Sequence, residues 1–128
     1  MLQILHNPRC GKSRDCLAFI KESKYEFEII NYLVKPLSTD EIKTLIKKLN
    51  IKPIELVRQK EAIWIEHYKG KLLSDVDIIK AMAIHPIVIE RPIIIKGNKA
   101  IIGREIKKII YQHFDLIVDS WNTFYKKS

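Results

Sequence analysis

Cysteine is nearly missing from this chain: of 128 residues, only Cys10 and Cys16 carry a thiol. Two cysteines with five residues between them do not make the disulfide framework of a small secreted domain, so a reducing cytoplasm is the expected home. The same spacing, without a histidine pair beside it, lacks the pattern of a zinc site, and neither a metal nor a bound cofactor is expected. No apolar run approaches the roughly 18 residues that a bilayer-crossing helix needs, so no membrane partner is expected. The first residues, with His6, Asn7 and Arg9 so early, do not read as a signal peptide. Linkers, internal repeats and low-complexity stretches are also missing.

Acidic residues are the scarcer charge, 15 against 23 basic ones, which leaves a net charge of +8. Such an excess favours an anionic substrate or an acidic partner. The lysines, however, are spread over Lys43, Lys47, Lys48, Lys52, Lys107, Lys108, Lys126 and Lys127 without interleaved aromatics. That pattern reads as solvated helix faces and not as a nucleic-acid footprint. What is present in quantity is apolar: 47% hydrophobic and 30% charged residues are the proportions of one globular domain with a real core.

Residues 2–5 form an apolar run that reads as a strand, and Cys16, Leu17, Phe19 and Ile20 mark a helix over roughly 13–23, with Ser13 as its cap. Phe27 to Ile30 reads as a second strand, and a strand, helix and strand in this order predict a parallel pair. Ser38 followed by Glu41 is a capping box, and Ile42, Leu45, Ile46 and Leu49 continue it as a helix. Pro53 opens a short helical piece ending near Arg58. A less regular segment with Trp64, Tyr68 and Gly70 follows, in which the aromatics read as packing residues. Ser74 or Asp75 then caps a helix through Ile78, Ile79, Met82 and Ala83, which His85-Pro86 stops. Pro92 to Ile95 and Ala100 to Ile102 read as a hairpin turning at Gly97-Asn98, and Gly103 leads into a last helix of Ile106, Ile109, Ile110 and Phe114. A βαβ half and a ββα half are the parts of the thioredoxin fold. The expectation is therefore one α/β, thioredoxin-like domain over 1–128, with residues from about 36 to 86 inserted as a helical subdomain.

The chemistry concentrates at His6-Asn7-Pro8-Arg9-Cys10-Gly11-Lys12-Ser13-Arg14. Asn7-Pro8 breaks the first strand, Gly11 permits a tight loop, and Cys10 falls where strand turns into helix. A thiol there gains as thiolate from the helix dipole, the free N–H groups and the cations Arg9, Lys12 and Arg14. The same donors would hold an oxyanion in front of the sulfur. Cys16 lies in the amphipathic run and reads as a buried thiol. Position 13 is Ser13, so the chain lacks the C-x-x-C of self-contained disulfide chemistry. Gly11-Lys12-Ser13 imitates a P-loop ending, but His6 stands where that motif needs glycine.

These residues, with Leu56-Val57-Arg58, the run His85 to Pro92, and Gly103-Arg104, resemble the glutaredoxin-coupled arsenate reductase family over nearly the whole chain to about residue 117. The resemblance implies Cys10 as nucleophile, with Arg58, Arg91 and Arg104 around an arsenate or similar oxyanion. It also implies a substrate-binding set of His6, Asn7, Gly11, Ser13, Arg14 and Pro92. In the fold so implied, the proline before the third strand is usually cis and lies beside the cysteine. Arginines suit the task because they neutralise a dianion and hold its oxygens in bidentate fashion. Glutathione is the implied co-substrate and glutaredoxin the implied partner. One position departs from the family pattern: Glu105 stands where the arsenate reductases have a proline beside their last arginine. Two other readings stand beside this one, a redox-sensing regulator that binds RNA polymerase and a general glutathione-dependent thiol reductase.

Overall fold

The computed structural model describes residues 1–22 and 25–103. The expected last helix, together with Arg104 and Glu105, lies outside the described residues. Among those described, no helix is long and apolar enough to cross a membrane. The chain divides into two compact units, one of residues Met1–Asn31 with those from Arg91 onward, the other Tyr32–Glu90.

The first unit is built on a four-stranded sheet. Strand β1 (Leu2–Leu5) leads into helix α1 (Gly11–Glu22), and β2 (Phe27–Ile30) returns parallel to β1, with Leu2 opposite Phe27 and Leu5 opposite Ile30. Strands β3 (Ile93–Lys96) and β4 (Lys99–Ile102) form the hairpin, and β3 pairs antiparallel with β1, giving the order β2-β1-β3-β4. The hairpin turns at Gly97, whose φ of 60° is left-handed and costs glycine no Cβ clash. Central strands are apolar because both their faces are covered; all three isoleucines of β3, Ile93, Ile94 and Ile95, are buried. Helix α1 lays Cys16, Phe19 and Ile20 on the sheet, where they pack with Leu2, Ile4, Ile94 and Ile101. This is the thioredoxin-like arrangement that the sequence pattern predicts.

Helix α1 begins at Gly11, two residues before the expected start, and Ser13 is not its cap. The first helical bond instead runs from the Arg14 N–H to the Cys10 carbonyl at 3.0 Å. The Ser13 hydroxyl is turned inward, and the residue is wholly buried. Gly11 accordingly sits in ordinary helical backbone, and a Cβ there would meet only Arg14 Nη2, at 3.7 Å.

The second unit is helical. Helix α2 (Thr39–Leu49) carries the expected capping box, with the Ser38 hydroxyl accepting from the Glu41 N–H at 3.1 Å and Glu41 Oε1 from the Ser38 N–H at 3.0 Å. It ends on Asn50 in the left-handed region, φ 54°. A 3₁₀ turn follows over Pro53–Leu56, and helix α4 (Asp75–Ile84), capped by Ser74, packs against α2 and against that turn. Between them the segment expected to be irregular holds a short helix, α3 (Ala62–His67). Its six residues are too few to show a period, and Trp64 is its one buried residue. Trp64 stacks on Tyr68 with ring centroids 5.1 Å apart, and Tyr68 meets His85 edge-on at 6.0 Å.

Candidate active site

The site loop is the connection from β1 to α1, residues His6 to Cys10. Its polar groups are paired within a few residues. Asn7 does most of this: its Oδ1 accepts the Arg9 N–H at 3.0 Å, its carbonyl accepts the Cys10 N–H at 3.0 Å, and its own N–H donates to Ser13 Oγ at 3.0 Å. Ser13 Oγ also lies 2.7 Å from His6 Nδ1. His6, Asn7 and Ser13 are all buried, so these bonds are made away from water, where leaving one unmade is expensive. On the exposed side, Arg14 Nη1 donates to the Pro8 carbonyl at 3.0 Å. The loop is thus fixed before any ligand arrives.

Cys10 sits half-buried at the end of this loop, and both cysteines are free thiols. Burial alone would raise its pKa. The backbone N–H of Ser13, a hydrogen bond from the Arg91 side chain, the backbone N–H of Lys12 and the charge of Arg91 together outweigh burial, and the thiol is held below its ordinary value. The backbone N–H groups expected from the sequence are among these causes, whereas the side-chain charges of Arg9, Lys12 and Arg14, also expected to act, are not the ones that do. All three are exposed, where water screens them, and Lys12 acts through its main chain instead. Arg91 is buried, and a cis peptide bond joins it to Pro92, also buried, at the entrance to β3. The Pro92 carbonyl accepts the Gly103 N–H at 2.7 Å.

His6 has its pKa lowered by burial first, then by the charges of Lys21 and Arg14, which favours the neutral ring. Cys16 is the opposite case from Cys10. Burial in the core pushes its thiol up to about 12, so it supplies no nucleophile at neutral pH.

In the helical unit, Arg58 follows a short bridge between Val57 and Ile89. Its N–H donates to the Val88 carbonyl at 2.7 Å, and the Glu90 N–H returns a bond to Leu56 at 2.8 Å. Arg58 Nη1 meets Glu61 Oε1 at 3.2 Å, a pair the sequence reading did not single out. The spacing Arg58 to Glu61, around a turn, was the signal available. Arg104 lies outside the described residues. Of the sequence-derived set, Cys10 and Arg91 are brought into hydrogen-bond contact, while His6, Asn7, Ser13 and Arg14 bond to the loop that carries Cys10. Gly11 contributes unstrained helical backbone next to the cysteine. Among the described residues no group of three or more His, Cys, Asp or Glu is arranged to hold a metal ion.

Comparison with known proteins supplies the family. The chain is 39% identical over 103 residues to a protein of Haemophilus influenzae named arsenate reductase, covering 79% of this chain and 89% of that one. It is 38% identical over 111 residues to the uncharacterized protein YfgD of Escherichia coli, covering 85% and 93%. The solved structure of an arsenate reductase from Vibrio cholerae superposes with a TM-score of 0.80 at 35% identity, over 85% of this chain and 94% of that one. The model of the ArsC family matches residues 5–110, from the end of β1 through the Cys10 loop, the helical unit and the hairpin, and the chain belongs to that family.

Proposed function

We propose that this protein is an arsenate reductase that uses glutathione, with glutaredoxin as the partner that regenerates it. The observation that carries the reading is the contrast between its two thiols. Cys10 is half-buried with its pKa lowered, whereas Cys16 is in the core with its thiol near 12. One protein sulfur is prepared for attack and no second one is available to resolve the product, so the second thiol must come from outside.

The chemistry follows from that. The Cys10 thiolate attacks arsenic, and an arsenate oxygen leaves as water after protonation, with arsenic still in its oxidised state. Glutathione then attacks the Cys10 sulfur. A sulfur–sulfur bond forms, two electrons stay with arsenic, and arsenite departs. Glutaredoxin reduces the mixed disulfide and restores the thiol. In this reading Arg91, whose side chain hydrogen-bonds to the sulfur in the resting protein, accompanies the negative charge as it moves onto the departing oxygen. Arg58 and Arg104 join it as oxyanion arginines in this reading, which rests for them on the family resemblance. A free, low-pKa cysteine also needs a reducing compartment, and the cytoplasm is the proposed location.

The test is arsenite production by the purified chain with glutathione and glutaredoxin, wild type beside Cys10→Ser. Turnover lost in the variant establishes both reaction and nucleophile. Absence of turnover in the wild type, with Cys10 reduced and a known reductase active in the same mixture, would sink the arsenate assignment.

A further inference from the structure

Arg14 grips the nucleophile loop at two points. Its backbone N–H donates to the Cys10 carbonyl at 3.0 Å, and its guanidinium Nη1 donates to the Pro8 carbonyl at 3.0 Å. The second guanidinium nitrogen, Nη2, lies 3.7 Å from the place a Cβ on Gly11 would occupy, so the group is laid alongside the loop backbone. The side chain is exposed and lies along the outer side of the loop.

The remaining loop groups show what this grip completes. Asn7 takes the N–H groups of Arg9 and Cys10, and Ser13 takes that of Asn7. Those bonds fix the buried side of the loop. The Pro8 carbonyl is on the exposed side, where the long Arg14 side chain reaches it and, as a charged donor, makes a stronger bond than a neutral one. With both sides tied, the first N–H groups of α1 keep their aim at Cys10.

We propose that Arg14 is a positioning residue: its guanidinium staples Pro8 to helix α1, holding the loop in the conformation in which the Lys12 and Ser13 N–H groups meet Cys10, and it is not a ligand of the oxyanion. The kinetic and arsenate-protection parts of this inference rest on the arsenate reading above; the alkylation profile does not. The alternative role, that of an oxyanion ligand, makes a different and separable set of expectations.

The experiment uses the full-length chain as wild type, Arg14→Gln and Arg14→Lys. Because Arg14 is exposed on α1, the variants are expected to fold, with an unfolding midpoint lowered by no more than the loss of one hydrogen bond. The first readout is the rate of Cys10 alkylation against pH, which needs no turnover. Glutamine is too short to reach Pro8, so its profile moves to higher pH and the rate at neutral pH falls about three- to tenfold, the equivalent of one net hydrogen bond. Lysine, which reaches the carbonyl as a single donor, recovers most of the loss. The arsenate concentration that half-protects Cys10 stays within about twofold of wild type, and kcat, not KM, carries the loss of activity. An Arg14→Gln profile that superposes on wild type would overturn the inference. So would an unchanged profile with weakened arsenate protection, which would make Arg14 a ligand. If the wild type fails to reduce arsenate, the functional reading falls, and the alkylation profiles still decide the role of Arg14.

Discussion

The Ser13 hydroxyl oxygen lies 2.7 Å from His6 Nδ1 and accepts the Asn7 N–H at 3.0 Å. A hydroxyl has one proton, and since its oxygen is accepting from Asn7, that proton is free to go to Nδ1 of a neutral His6. In that arrangement the ring's own proton sits on Nε2, and the lowered pKa of His6 favours the neutral ring that it needs. One buried serine thus joins the end of β1, the Cys10 loop and the first turn of α1.

Ser13→Ala leaves two buried groups, the Asn7 N–H and His6 Nδ1, without their partner. The expected loss is about 1–3 kcal/mol of stability, read as a lowered denaturation midpoint with unchanged slope. A loss of less than a few tenths would mean that water enters and replaces the hydroxyl.

The pH dependence has a definite sign. His6 has a folded-state pKa below its ordinary 6.5, so the unfolded chain binds more protons between the two values. Its contribution to stability is therefore full above 6.5 and is lost as pH falls from there through the folded value. Urea midpoints at neutral and mildly acid pH are expected to show this loss in the wild type and to lack this component in His6→Asn, whose amide oxygen supplies an acceptor that does not titrate. Equal acid sensitivity in the two proteins would remove His6 as the cause.

The two cysteines are expected to alkylate at very different rates. Cys10 reacts with a profile set below an ordinary thiol, and Cys16 stays unlabelled until the chain unfolds. Arg91→Gln removes both a hydrogen bond and a charge from Cys10, so its profile moves up and its rate at neutral pH falls severalfold. Mass spectrometry of the labelled peptides separates the two sites. Labelling of Cys16 in the folded protein, or an unmoved Arg91→Gln profile, would contradict this account.

In the helical unit, Ser38→Ala removes the acceptor for the Glu41 N–H at the start of α2. The expected cost is about 1 kcal/mol in an unfolding experiment, with the Cys10 alkylation profile unchanged. Glu41 carries the complementary signature: the Ser38 N–H and hydroxyl hold its carboxyl below the ordinary value, and the variant is expected to raise it.

Much of the chain was legible because its signals are local. The strands of residues 2–5 and 27–30, the hairpin at Gly97-Asn98 and the Ser38–Glu41 and Ser74–Asp77 capping boxes each depend on residues within a few positions of one another. The short helix Ala62–His67 was not legible, since it buries only Trp64 and shows no period. Ser13 was misread for a related reason. A serine before an apolar run has the same local pattern whether it caps the helix or lies inside its first turn, and only the position of His6 and Asn7 distinguishes the two.

The residue types at the site, and their order along the chain, were determined by the sequence alone: a cysteine between a strand and a helix, one serine where a second cysteine would stand, and arginines at 58, 91 and 104. Which groups act on the sulfur was decided by the tertiary structure. The cations nearest to Cys10 in sequence are exposed and screened, while Arg91, distant in the chain, is buried and bonds to it. The physical reason is that a charge or dipole counts by its distance and by the water between, and neither is written in the order of residues.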